Sequence, residues 1–238
     1  MAIALTQYAF LEHTSNHVHI EFSKAHQVMS SAVLNGGLVC ADHLVNMKVP
    51  KETPDNGSSD SDSPNNESPE QALSNYCSNS GWYGTSVGMM TAASMKSFRM
   101  AKVTEQGIDI IIVVTSGLSN ARRVGDVAEY RSMATDSKAV GTINIIFLTS
   151  AKLTDAASVE AVLMITEAKA AALQEAKILS PISNKIATGT GTDSVAVVSG
   201  HGPELITYCG KHVLFGEILG RLVMDTVASS IAWEVTSV

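Results

Sequence analysis

The pattern of apolar positions divides the chain into strands and helices. His17 to Phe22 and Val28 to Val33 read as short strands, the first placing His17 and His19 on one face. Asn35, Gly36 and Gly37 follow, then the apolar run Leu38 to Leu44. Asn-Gly between apolar runs predicts a type I′ hairpin turn, because both central residues of that turn need positive φ. Val87 to Met95 predicts a short helix. Phe98, Met100 and Lys102, then Ile108, Ile110, Ile112 and Val114, alternate as two strands joined near Glu105, Gln106 and Gly107. Ile143 to Leu148 and Ser194 to Val198 predict two more strands.

Between those last two lies an alanine-rich stretch, Thr154 to Lys177, which predicts a long helix capped by Thr154 or Asp155. At 100° per residue, Ala156, Val159, Val162, Leu163, Ala170 and Leu173 form its apolar stripe, with Thr166 in the middle. Glu167 and Lys169 fall on opposite flanks of that stripe, so they do not form a simple surface ion pair. A second long helix spans His212 to Trp233. Its Gly216 and Gly220 share a face that lets another helix approach, and Glu217 with Arg221 forms an ordinary surface pair. The sum is an α+β fold with layers: a mainly antiparallel or mixed sheet and two long packed helices, without the βαβ regularity of a Rossmann domain.

Composition narrows the setting. With 238 residues and 45% hydrophobic content the chain can bury a sizeable core, and one domain over 1–238 is expected. No apolar run approaches the ~20 residues that cross a bilayer, and no export signal is read at the N-terminus. Cys40, Cys77 and Cys209 are odd in number and widely spaced, which fits a reducing cytoplasm and neither a disulfide framework nor a zinc ribbon. Most of the net charge of -7 comes from residues 51–70, where Lys51 stands against six carboxylates. That stretch has three prolines and no aliphatic residue, so a disordered acidic loop is expected over 51–72, and its Asn66-Glu67-Ser68 glycosylation match is empty in a cytoplasmic protein. The rest of the chain is close to neutral, which argues against nucleic-acid and anionic-membrane partners.

Polar, glycine-containing segments recur at strand ends: Thr115 to Arg123 with Gly125 and Asp126, Gly141 to Asn144, and Thr188 to Asp193. If the strand from Ile108 runs antiparallel to the other two, all three segments meet on one sheet edge, the expected active site. Gly189-x-Gly191 lacks a third glycine and precedes a strand, so it is no dinucleotide fingerprint; a backbone nest for an anion stays open. There is no P-loop lysine pair and no G-x-S-x-G elbow. His17 and His19 could supply two metal ligands, but a half-exposed strand face explains them better, and no metal site is assigned.

Six segments, in order and spacing, resemble the adenosylcobinamide amidohydrolase family of corrinoid (vitamin B12) salvage. They are Ser30 to Gly37, Gly88 to Ala93, Gly117 to Asp126, Gly141 to Asn144, Thr166 to Lys169 and Ala187 to Asp193, followed by Gly210-Lys211-His212 and Gly216-Glu217. The resemblance covers nearly the whole chain, with the acidic stretch as an addition. It implies hydrolysis of the amide joining aminopropanol to the corrin ring of adenosylcobinamide, giving adenosylcobyric acid for cobalamin biosynthesis. The adenosylated corrinoid is then the substrate and no cofactor is firmly implied.

Catalytic roles come from chemistry, since amide hydrolysis needs a nucleophile or activated water, oxyanion donors and an acid for the departing amine. Asp193 is the first choice for a base or its orienting group, and His212 for proton transfer. Thr190 or Thr192 could attack, or their amides could hold the oxyanion. Asn35, Asn120, Arg122, Asn144, Glu167 and Lys211 are candidates for hydrogen bonds to the corrinoid. Turn chemistry for Asn35 and Asp193, and simple packing for His212, compete with these roles. Two other functions stay open: a non-catalytic corrinoid-binding protein, and an amidohydrolase of another amide, including one that uses an N-terminal threonine freed by chain cleavage. A homo-oligomer is a further open possibility.

Overall fold

The computed structural model describes residues 2–49, 67–128 and 142–236. In chain order these form β1 (Ile3–Ala4), β2 (Ala9–His13), β3 (His17–Ser30), β4 (Gly37–Lys48), α1 (Pro69–Asn79), β5 (Ser86–Thr91), a 3-10 turn (Met95–Ser97), β6 (Arg99–Glu105) and β7 (Ile108–Ser116). Then come β8 (Ala121–Arg122), β9 (Ile143–Thr149), β10 (Lys152–Leu153), α2 (Asp155–Glu175), β11 (Gly189–Thr190), β12 (Ser194–Ser199), β13 (Leu205–Ile206) and α3 (Leu214–Thr236).

The main sheet is mixed and curled. Its path runs β1-β2-β3-β12-β9-β7-β6, with β4 on the other edge of β3 and β5 parallel to β4. The strands β7, β9 and β12 are buried on both faces, which is why their sequences read as continuous apolar runs. On one side Ile112, Val114, Ile145, Phe147 and Val197 pack against Ala161, Ile165, Leu219 and Val223 of α2 and α3. On the other, Ile111, Val113, Ile146 and Val198 meet Leu11, Ile20, Leu44 and Met89 from the curled strands β2 to β5. Helix α1 covers the outside of β4 and β5 through Leu73 and Cys77. The α+β reading of the sequence holds.

Where alternation is clean, the elements form as expected. β6 and β7 are joined by Gln106 and Gly107 at φ +50° and +80°, the type I′ geometry of a two-residue hairpin. Thr154 caps α2 by accepting from Ala157 N at 3.1 Å.

Four expectations are corrected. The two strands read around residues 17–33 are one strand, β3, whose register with β4 shifts between Glu21 and His26. The Asn35-Gly36 pair does not make a two-residue hairpin: six residues separate the paired Ser30 and Gly37, and Asn35 has positive φ but Gly36 does not. Leu34 instead bonds Gly88 of β5 through both backbone groups at 3.0 Å, and that long-range bridge sets the loop. Val87 to Met95 is strand followed by the 3-10 turn, because both faces of β5 are covered and no alternation marks it. The buried face of α2 is Ala157, Ala161, Ile165, Ala168 and Ala172; Ala156, Val159 and Leu163 are exposed. Alanine on all sides leaves the helix little angular preference, so its packing against α3 decides.

Gly220 does face α2, at Met164, whereas Gly216 lies against the carbonyls of Cys209 and Gly210. The acidic stretch lies outside the described residues as far as Asn66. Its expected extent to residue 72 is too long, since Ser68 caps α1 and Pro69 opens it, and Gln71 completes a Ser-x-x-Gln capping sequence.

Candidate active site

The three polar segments do converge. β7 is antiparallel to β9 and β9 parallel to β12, so Thr115 and Ser116 at the end of β7 pair with Asn144 and Ile143, and Asn144 pairs with Ser194. Gly141 falls outside the described residues. The remainder of its segment stands on this edge, and the short strand β11 adds Gly189 and Thr190 by pairing with Arg122 and Ala121 of β8.

Asp193, one residue before β12, is the centre of the edge. Its Oδ1 accepts from Ile143 N at 2.9 Å and from Thr190 Oγ1 at 2.5 Å; its Oδ2 accepts from Thr190 N at 3.0 Å and from Lys169 Nζ. The Lys169 and Asp193 side chains are 9% and 11% exposed. A buried ion pair persists when further hydrogen bonds satisfy the charges, and here the carboxylate takes four donors. The glycines explain themselves by close approach. A Cβ on Gly189 would overlap Asp193 Oδ2 and crowd Lys169 Nζ, and one on Gly191 would overlap Asn120 Nδ2. The nest considered from sequence is thus filled by the chain's own carboxylate at Thr190 N, and Gly191 N bonds Asn120 O at 3.1 Å.

Asn120 and Arg122 belong to the same cluster, Arg122 Nε donating to Asn120 Oδ1 at 3.0 Å. Thr192 is exposed, and its carbonyl accepts from Thr142 Oγ1 at 2.6 Å. Asn144 is 1% exposed. Its amide donates to Asn46 Oδ1 and Met90 O at 2.8 Å each, and Asn46 in turn donates to Thr115 Oγ1 at 2.8 Å, so it ties strands together beneath the edge. The rest stand apart. Asn35 donates to Ser86 O at 2.8 Å as a loop brace. Glu167 and Lys211 form an exposed ion pair that joins α2 to the segment before α3. His212 is exposed; among the described residues its ring meets Tyr208 and makes no hydrogen bond.

Lys169 is the residue that sequence reasoning missed. A lysine inside an alanine-rich apolar helix is itself a signal, since a buried ammonium needs an anionic partner, but the misplaced stripe put it on a flank. His17 and His19 do not lie on a half-exposed face either. His19 stacks on Trp82 with ring centroids 3.8 Å apart, and His17 bonds the hydroxyl of Tyr76 in α1 at 2.7 Å and meets the Trp82 ring edge-on. Among the described residues no group of three His, Cys, Asp or Glu side chains is placed to hold a metal ion.

With this geometry in hand, comparison with known proteins decides the family. The model of the adenosylcobinamide amidohydrolase (CbiZ) family matches residues 4–236. The chain belongs to that family. Family membership places it among enzymes that act on an amide bond of adenosylcobinamide. An adenosylcobinamide amidohydrolase of Methanosarcina mazei is 28% identical over 84% of this chain and 88% of its own length. An uncharacterised protein of Methanocaldococcus jannaschii is 37% identical over 60% of this chain, and the match spans 61% of that protein. Among solved structures, a β-aminopeptidase of Burkholderia sp. aligns with 92% of this chain and 78% of its own, at 10% identity and a TM-score of 0.44. Lys169 and Asp193 both lie within the matched residues of the amidohydrolase family.

Proposed function

We propose that this chain hydrolyses the amide between aminopropanol and the corrin ring of adenosylcobinamide, releasing adenosylcobyric acid. The observation that carries the reading is the Thr190 hydroxyl donating to Asp193 Oδ1 at 2.5 Å while Lys169 holds the other oxygen. Thr190 Oγ attacks the amide carbonyl and Asp193 takes its proton. Asn120 Nδ2 and Arg122, at the exposed side of the cluster, donate to the oxyanion. The tetrahedral intermediate collapses, the C–N bond breaks and the amine leaves with the proton from Asp193. Water then attacks the Thr190 ester, Asp193 passing its proton to Thr190 Oγ, so that one water is consumed for one acid and one amine. Lys169 is a positioning residue that holds Asp193 in place. Asn144 positions the edge from below. Thr192, His212, Lys211, Glu167 and Asn35 lie outside this proton path.

The test is incubation of purified protein with adenosylcobinamide, with and without chelator. Equal amounts of adenosylcobyric acid and aminopropanol are expected. An unchanged corrinoid spectrum with no released aminopropanol would assign the chain to binding without turnover. A chain cut before Thr190 in the active protein, seen by intact mass, would replace this scheme with an N-terminal threonine.

A further inference from the structure

A cleft of about 280 Å³ opens beside the active-site strand pair, lined by Val124, Asp126, Val127, Ile182, Ser183 and Lys185 together with their neighbours. It is built on the same ladder. Val124 N donates to Thr188 Oγ1 at 2.9 Å and Arg123 Nη1 to Ile186 O at 3.0 Å, directly beyond the pairing of β8 with β11. Thr190 stands opposite Ala121. Val124 stands three residues beyond Ala121, in the turn that follows the end of β8 at Arg122.

Its lining combines aliphatic side chains with a carboxylate. Val124, Val127 and Ile182 are 81%, 66% and 48% exposed, a concentration of open aliphatic surface at one place. In the same lining, Asp126 Oδ2 accepts from Arg123 N at 2.8 Å and Ser180 Oγ at 2.5 Å. The Ser180 and Ser183 hydroxyls and the Arg123 amide hold this carboxyl ionised, its pKa lowered to about 2. Ser183 favours the charge by proximity but makes no hydrogen bond of good geometry. Among the described residues Asp126 Oδ1 accepts none.

We infer that this cleft binds the adenosine moiety of the corrinoid's upper ligand, the base lying between the aliphatic walls and the ribose hydroxyls donating to Asp126 Oδ1. The inference rests on the corrinoid reading above. An ionised carboxylate only accepts hydrogen bonds, and a ribose diol supplies two donors side by side. The volume sits just under the ~300 Å³ at which sites for drug-sized ligands begin, so it suits a fragment and not a macrocycle. The primary amides around a corrin could also donate to Asp126, but they would leave the aliphatic walls in water.

Calorimetric titration of the intact protein with adenosylcobinamide and with dicyanocobinamide, the same ring without the nucleoside, tests this. Wild type is expected to bind the adenosyl form at least about tenfold more tightly, and D126N and V124W are each expected to bring the two dissociation constants within about threefold. V124W guards the test, because Val124 is exposed and its replacement removes no internal contact of the fold. Equal binding of the two corrinoids by wild type, or a tenfold preference surviving in both variants, would overturn the inference. Absence of binding to either would overturn this and the hydrolase reading together. A preference without hydrolysis would overturn the hydrolase reading alone.

Discussion

Lys169 with Asp193, and His19 with His43, are both buried polar pairs, yet they are built from opposite chemistry. The first joins full charges, satisfied by two backbone amides and a threonine hydroxyl and packed so closely by Gly189 that a Cβ there would overlap the carboxylate. The second joins two imidazoles, His19 Nε2 to His43 Nδ1 at 3.2 Å, beneath the Trp82 ring. Burial, followed by the neighbouring His43 and His17, pushes the His19 pKa down to about 3, so at neutral pH it is an uncharged packing group. A buried charge pair beside a sheet edge is costly to maintain, and a neutral stack under an aromatic ring is not. That difference is the reason the proposed chemistry is assigned to the first cluster.

The largest effect should follow from breaking the charged pair. Lys169→Met strands the Asp193 carboxylate and is expected to cost about 3–5 kcal/mol of stability, read by denaturant unfolding, and to lower turnover by about 10²–10⁴-fold. Lys169→Met with Asp193→Leu should recover much of the stability and none of the activity. Recovery of activity in the double variant would make the pair merely structural. Next comes Gly189→Ala, whose methyl would overlap Asp193 Oδ2. A loss of about 1–3 kcal/mol is expected, with turnover falling more than substrate binding.

The histidine cluster should respond to pH instead. His19 carries a lower pKa folded than unfolded, so its contribution to stability is complete above pH 6.5 and is lost as pH falls toward about 3. The share of unfolding free energy that His19 carries is expected to drop by on the order of 1–2 kcal/mol between pH 7.5 and 5; buried His26, lowered to about 4, adds its own loss, so His19→Phe should lessen the slope without abolishing it while sparing turnover at pH 7.5. A steep loss of turnover in that variant would erase the distinction between the clusters. The smallest effects are expected outside both. Glu167→Gln breaks an exposed ion pair and should cost under about 1 kcal/mol, and His212→Ala should change turnover by less than about threefold, since its ring does not touch the cluster.

How much of this was legible in the sequence differs element by element. β6 and β7 alternate and are joined by Gln106-Gly107, so local chemistry specified them. The meeting of the polar segments needed only the direction of β7 relative to β9 and β12. β5 was misread because a strand covered on both faces shows no alternation, and α2 was rotated because alanine is nearly neutral about which side it buries. Asp193 was visible in its glycine-threonine setting. Lys169 was not, because its partner is 24 residues away, across the connection between α2 and β12. Gly189 and Gly191 read from sequence as a backbone nest for an anion, whereas the close approach of Asp193, Lys169 and Asn120 is what excludes a Cβ there.

The most direct measurement is the turnover of adenosylcobinamide by Thr190→Val, which keeps the shape of the side chain and removes its hydroxyl, alongside Thr190→Ser. The account predicts a loss of at least about 10³-fold for valine and a substantially active serine variant. A valine variant within about tenfold of wild type would contradict it and leave Asp193 to activate water without Thr190.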